Sequence, residues 1–128
     1  MKRLTAEWVR KAEADFLAAG KLLRGSAPLH DAVCFHCQQA AEKYLKALLQ
    51  ELGAAVPKIH DLEHLLFDLL LPLDSTLSPL GRSLSSLNQY AVEYRYPGRS
   101  ATTRQMQAAL RHAERVRREL RGRLGLPP

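Results

Sequence analysis

Apolar residues return every three or four positions, the spacing of one face of an α-helix, in five successive stretches of the chain. In the first, Trp8, Ala12, Phe16, Ala19 and Leu23 share a face, Thr5 is placed to cap the start, and Gly25 to Pro28 ends it. The second begins near Leu29 to Asp31 and runs to about Leu52, with Val33, Cys37, Ala41, Tyr44, Leu45, Leu48 and Leu52 on its apolar side. Gly53 supplies a C-terminal stop and Pro57 prevents continuation. A third, short helix opens at His60 or Asp61, carries Leu62, Leu65, Leu66 and Leu69, and ends before Pro72. After the turn-rich stretch from Asp74 to Pro79, Leu80, Leu84, Leu87 and Ala91 predict a fourth helix to about Glu93, which Pro97 and Gly98 cut off. Ser100 is placed to cap a fifth helix, with Met106, Leu110, Ala113, Val116 and Leu120 as its buried stripe, and the tail from Gly122 to Pro128 is expected to fray. No segment alternates apolar and polar residues over strand length. The pattern predicts an all-α protein, a four- to five-helix up-and-down bundle in one domain spanning residues 1–128.

The polar side of the second helix carries the most chemistry. His36, Gln39, Lys43, Lys46 and Gln50 fall within an arc of about 80° at the α-helical rotation per residue. A solvent-facing helix ordinarily mixes Glu with Lys, yet here Glu42 is the only acid close by, which makes the arc a candidate phosphate-binding face. The net charge of +6 and pI near 9.7 point the same way, toward a phosphate-bearing or acidic partner. Cys34 and Cys37 form a C-x-x-C inside this helix. With no second ligand pair for zinc and no βαβ pattern around it, the pair reads as two small buried side chains; no metal and no cofactor is expected. No apolar run approaches membrane-spanning length, and MKRLTAEW lacks the apolar stretch of a signal peptide, so a cytoplasmic protein with no membrane contact is expected.

W-x3-A-x2-D-F in the first helix, then QQAAEKYLKALLQELG, then PKIHDLEHLL, then YRYPG before the last helix, together resemble the HEPN domain family from Trp8 to about Val116. The most specific elements are Gln39-Ala40-Ala41-Glu42-Lys43 with Lys46, His60-Asp61-Leu62, and Arg95-Tyr96-Pro97. The resemblance implies a helical bundle, usually a homodimer, that binds nucleotide or RNA. It also implies a neighbouring minimal nucleotidyltransferase protein, the two acting as toxin and antitoxin. In the nuclease branch of the family an Arg and a His, four to six residues apart at the junction leading to the last helix, cut RNA. This sequence departs from that pattern: the next His after Arg95 and Arg99 is His112, and Arg104 still leaves seven residues between. Arg24 and His30 meet the spacing with GSAPL between them, but in the first interhelical loop, where it reads as chance.

Two further places hold candidate chemistry. Asp61 suits a helix N-cap, and His60 beside it suits phosphate donation or proton transfer. Tyr94-Arg95-Tyr96-Pro97 sets a guanidinium among aromatic faces at a helix break, a combination that binds phosphate while stacking a base. The leading expectation is a nucleotide- or RNA-binding module in which His36, Gln39, Lys43, Lys46, His60, Arg95 and Tyr96 form the site. The alternatives are a metal-independent endoribonuclease using His60 and Arg95, and a structural partner whose basic surface docks an acidic protein. Arg104, Arg111, Arg115 and Arg118 follow one side of the fifth helix and widen the basic surface.

Overall fold

Two long helices, α1 (Arg3–Leu23) and α2 (His30–Glu51), pack antiparallel, and their paired ends are stitched together. The Lys2 backbone N–H donates to Glu51 Oε1 at 2.9 Å, and Lys2 Nζ donates to the Gln50 carbonyl at 3.3 Å. An acid therefore sits at the N-terminus of α1 and a cation at the C-terminus of α2, each favoured by the helix dipole. The computed structural model describes residues 1–25, 29–92, 94 and 96–128. α1 starts at Arg3 with Lys2 at the N-cap position, so Thr5 is no cap; it lies buried within the helix.

α2 is the central element, touching α1, the helices of the 64–91 region and the last helix. Val33, Cys37, Ala41, Tyr44, Leu45 and Leu48 are buried as its apolar spacing predicts, while Leu52, at the C-cap, is exposed. Gly53 closes the helix with φ 77°, its N–H donating to the Gln50 carbonyl and the Ala54 N–H to the Leu49 carbonyl. That bond pair is the αL glycine stop expected from sequence.

The third helix is wound as a π-helix, His64–Leu70, with the Leu71 N–H reaching the Leu66 carbonyl at 2.8 Å. Asp61 caps it, accepting from the N–H groups of Glu63 and His64, and these bonds hold the Asp61 carboxyl below its usual pKa. The fourth segment is broken into a 3₁₀ turn, Ser75–Leu80, a short helix α3 (Gly81–Asn88) and a second 3₁₀ turn, Gln89–Ala91. Gly81 allows a close approach, since a Cβ there would come within 3.1 Å of the Phe67 ring. The expected end of that segment, Glu93, lies outside the described residues.

The last helix, α4 (Thr103–Arg123), is capped by Thr102 and not by Ser100. Thr102 Oγ1 accepts from the Gln105 N–H and Gln105 Oε1 accepts from the Thr102 N–H, a reciprocal capping box. Its buried stripe is Met106, Ala109, Ala113, Val116 and Leu120, with Leu110 only half-buried. The tail does not fray: the Leu126 N–H donates to the Arg121 carbonyl across Gly125, at φ 72°, and Leu124 and Leu126 pack on the core. α4 runs antiparallel to α3, with Arg123 near Asp74 and His112 near Ser83. Among the described residues no strand occurs, and the architecture is the all-α up-and-down bundle that the apolar spacing predicts.

Candidate functional site

The polar arc of α2 faces neighbouring helices, and its cations are paired by one acid from α1 and one from α2 itself. Asp15 of α1 accepts from His36 Nδ1 at 2.8 Å and from Lys43 Nζ. One turn on, Glu42 is 3% exposed and accepts from Lys46 Nζ at 3.1 Å and from His60 Nδ1 at 3.0 Å. Gln38, fully buried, donates to the His60 carbonyl at 3.0 Å and accepts from Gln39 Nε2 at 2.7 Å. His36, Lys43 and Lys46 are thus each matched to a carboxylate, and Gln39 is spent on Gln38. Asp15 carries a signal that sequence reading passed over: it shares the apolar face of α1 with Ala12 and Ala19, and an acid on a buried face needs a cation opposite.

His60 keeps the most accessible functional group of this cluster. Because a carboxylate only accepts, Nδ1 must carry the shared proton, and Nε2 of a side chain that is 70% exposed remains available. Lys46 reaches a cleft beside Trp8, with its ammonium 5.6 Å from the ring centroid. Tyr96 is exposed in the turn before α4, and Arg95 lies outside the described residues. Tyr94 stacks on Tyr90 at 5.6 Å between ring centroids, and its hydroxyl accepts from Gln105 Nε2 at 2.9 Å, which gives it a packing role. The structure therefore gathers Lys46 and His60 on Glu42, gathers His36 and Lys43 on Asp15, and leaves Tyr96 in a separate turn.

α4 carries two kinds of arginine. Arg117 forms a bidentate pair with Glu13, both N···O distances 2.7 Å, and Arg121 Nη1 donates to the Tyr44 hydroxyl at 3.0 Å. Arg104, Arg111, Arg115 and Arg118 instead lie exposed, within an arc of about 60° over roughly 21 Å of helix. Arg118 pairs with Glu114, and Arg115 touches the Pro79 carbonyl at 3.5 Å; among the described residues Arg104 and Arg111 make no ion pair.

His112 sits between these rows, sharing a 3.0 Å hydrogen bond with Ser83 Oγ. Burial, then the charges of Arg111 and Arg115, hold its pKa below the ordinary 6.5. With the folded value below the unfolded one, the unfolded chain takes up this proton first, so stability falls as pH drops below 6.5 toward the folded value. Urea midpoints measured from pH 8 to 5 are expected to show a smaller decline in His112→Gln than in the parent.

Cys34 and Cys37 are buried free thiols, both pushed up to about 12 chiefly by burial, which makes them inert packing groups. Among the described residues no cluster of His, Cys, Asp and Glu is arranged to hold a metal, and no helix is long and apolar enough to cross a membrane.

The all-helical order of this frame, with Gln38, Glu42 and Lys46 of α2 meeting His60, can be set beside known proteins. The chain belongs to the HEPN domain family, whose profile matches residues 5–123. Its structure is similar to TT1696 from Thermus thermophilus, at 28% identity and a TM-score of 0.77 over 95% of this chain and 98% of that one. It is also similar to ST0689, an archaeal HEPN homologue, at 26% identity and a TM-score of 0.75 over 97% of this chain and 99% of that one. No curated protein matches the sequence.

Proposed function

We propose that this HEPN domain is a nucleotide- or RNA-binding module, active as a homodimer and forming one half of a toxin–antitoxin-like pair with a minimal nucleotidyltransferase. The observation that carries the reading is the exposed arginine row of α4, in which Arg104 and Arg111 have no carboxylate partner among the described residues. Such a row neutralises successive phosphates of a nucleic-acid backbone and releases their counterions. His60, Lys46 and the neighbouring His36, Gln39 and Lys43 form the second wall of the proposed site, with Arg95 and Tyr96 as the phosphate and stacking groups of the turn before α4. Carboxylate pairing reduces the attraction of His36, Lys43 and Lys46 for an added anion, so on this wall the weight falls on His60, whose exposed ring has an Nε2 that the Glu42 contact does not use.

Fluorescence anisotropy with a labelled single-stranded RNA, read across salt concentrations, tests the module. Affinity is expected to fall linearly on a log–log plot, and Arg104→Gln with Arg111→Gln should lower the slope by about 0.7 for each arginine. Absence of binding at low salt, or an unchanged slope in the double variant, would sink the reading.

The Glu42–His60 contact favours a second reading, a metal-independent endoribonuclease, because a carboxylate that fixes Nδ1–H presents Nε2 as a base. RNA cleavage in excess chelator, lost in His60→Ala, is its expected signature. Equal cleavage by the variant removes His60 from that role.

A further inference from the structure

Trp8, Lys11, Lys46 and Lys58 meet at a cleft of about 370 Å³, bounded by the first turns of α1, the end of α2 and the 56–58 segment, with no residue of α4 in its lining. Leu4, Val56 and Pro57 line it with Trp8, so its walls are largely apolar. The volume falls in the range of small-molecule sites, roughly 300–1,000 Å³.

Its charges are asymmetric. Lys46 is 4% exposed, and a single acceptor, Glu42 Oε2, lies within hydrogen-bond reach of its Nζ among the described residues. An ammonium has three N–H donors, so a buried cation here retains donors that no protein acceptor takes up. Lys11 and Lys58 are exposed at the rim, and among the described residues neither makes an ion pair. Glu7 also lines the cleft. With Lys46 offset by Glu42, and one of the two rim lysines offset by Glu7, one net positive charge remains.

We propose that this cleft binds a small amphipathic monoanion, an aromatic or aliphatic carboxylate whose apolar body lies on Trp8 and whose carboxylate meets Lys11 and Lys58, with Lys46 beneath. One net charge suits one carboxylate, and the apolar walls suit a hydrocarbon body. A polyphosphate brings several negative charges to a site that balances one, more than its three lysines and the neutral Gln50 offset once Glu7 and Glu42 are counted. This site shares Lys46 with the wall proposed above for RNA, but it takes a different ligand and does not rest on that reading.

Trp8 is the single tryptophan of the chain, so its emission reports directly on the cleft. The full chain is titrated with 3-phenylpropionate, with the neutral 3-phenylpropanol, and with ATP. The carboxylate is expected to change Trp8 emission saturably and to bind about tenfold more tightly than the alcohol. Lys11→Gln and Lys58→Gln should each weaken it by about two- to fivefold and Glu7→Gln should tighten it by a similar factor, the scale of partly exposed ion pairs. Since the two rim lysines support no ion pair of the fold among the described residues, both variants should melt as the parent does. The proposal is overturned by no saturable change, by equal binding of the alcohol, by tighter binding of ATP than of the carboxylate, or by lysine variants that bind as the parent does.

Discussion

Glu42→Ala should lower the unfolding free energy by roughly 3–5 kcal/mol, the scale expected when one member of a buried ion pair is removed and the other charge is left behind. Glu42 is 3% exposed and anchors Lys46, whose own side chain is 5% exposed, together with His60 and the edge of Gln38. Alanine leaves an ammonium facing Trp8 with no anion beside it. Glu42→Gln keeps an acceptor oxygen for Lys46 and should lose less. The double variant Glu42→Leu with Lys46→Met, which removes both charges at once, should recover most of the loss. Urea unfolding followed by circular dichroism measures all three. A loss below about 1 kcal/mol for Glu42→Ala would mean that Lys46 escapes into the cleft and finds water, as a long amphipathic side chain can.

The helices were legible because their apolar spacing is local. Val33 to Leu48 and Met106 to Leu120 announce faces whose burial needs no knowledge of partners, and Gly53 announces a stop by its tolerance of positive φ; on α1 the expected face is buried at Ala12 and Ala19, half-buried at Trp8 and Phe16 and exposed at Leu23. The caps were less legible by two or three residues: Ser100 and Thr102 are both competent, and only Thr102 has Gln105 in the reciprocal position. The polar arc of α2 looked like open surface because the acid that pairs His36 and Lys43 lies on another helix. Asp15 is 21 residues from His36, and nothing in a single helix says that α1 will cover its polar side as α4 and the π-helix cover the other. The same limit hid the cleft at Trp8, which exists only where the start of α1 meets the end of α2 and the chain that follows it. The four exposed arginines of α4 were visible in their periodicity, but which arginines of that helix are spent on the fold depended on Glu13.

Tyr44 should divide its contribution between packing and polarity in a way that two substitutions separate. It is fully buried, yet its hydroxyl donates to Glu13 Oε2 at 2.6 Å and accepts from Arg121 Nη1 at 3.0 Å, so one side chain of α2 joins α1 to α4. Tyr44→Ala is expected to cost about 3–5 kcal/mol, the range for emptying a buried aromatic site. Tyr44→Phe keeps the ring and leaves Glu13 its bidentate Arg117, so it should cost only about 1 kcal/mol. The pH dependence distinguishes the two parts further. Burial first, and then the bond to the Glu13 carboxylate, push the Tyr44 hydroxyl up from 10.0 to about 12. Between those values the unfolded chain releases its proton while the folded one keeps it, so stability falls as pH rises through that window. At the acid end the sign reverses for Glu13, whose carboxyl is held below 4.5, mainly by the Arg117 hydrogen bonds. Its contribution is complete above that value and is lost as pH falls through the folded one. Denaturant midpoints across the alkaline range should therefore decline less in Tyr44→Phe than in the parent, while the acid limb stays nearly unchanged because Arg117 still holds Glu13. If the phenylalanine variant keeps the parent's alkaline decline, another group carries it, and the hydroxyl bridge across the three helices is not the proton-linked element this geometry makes it.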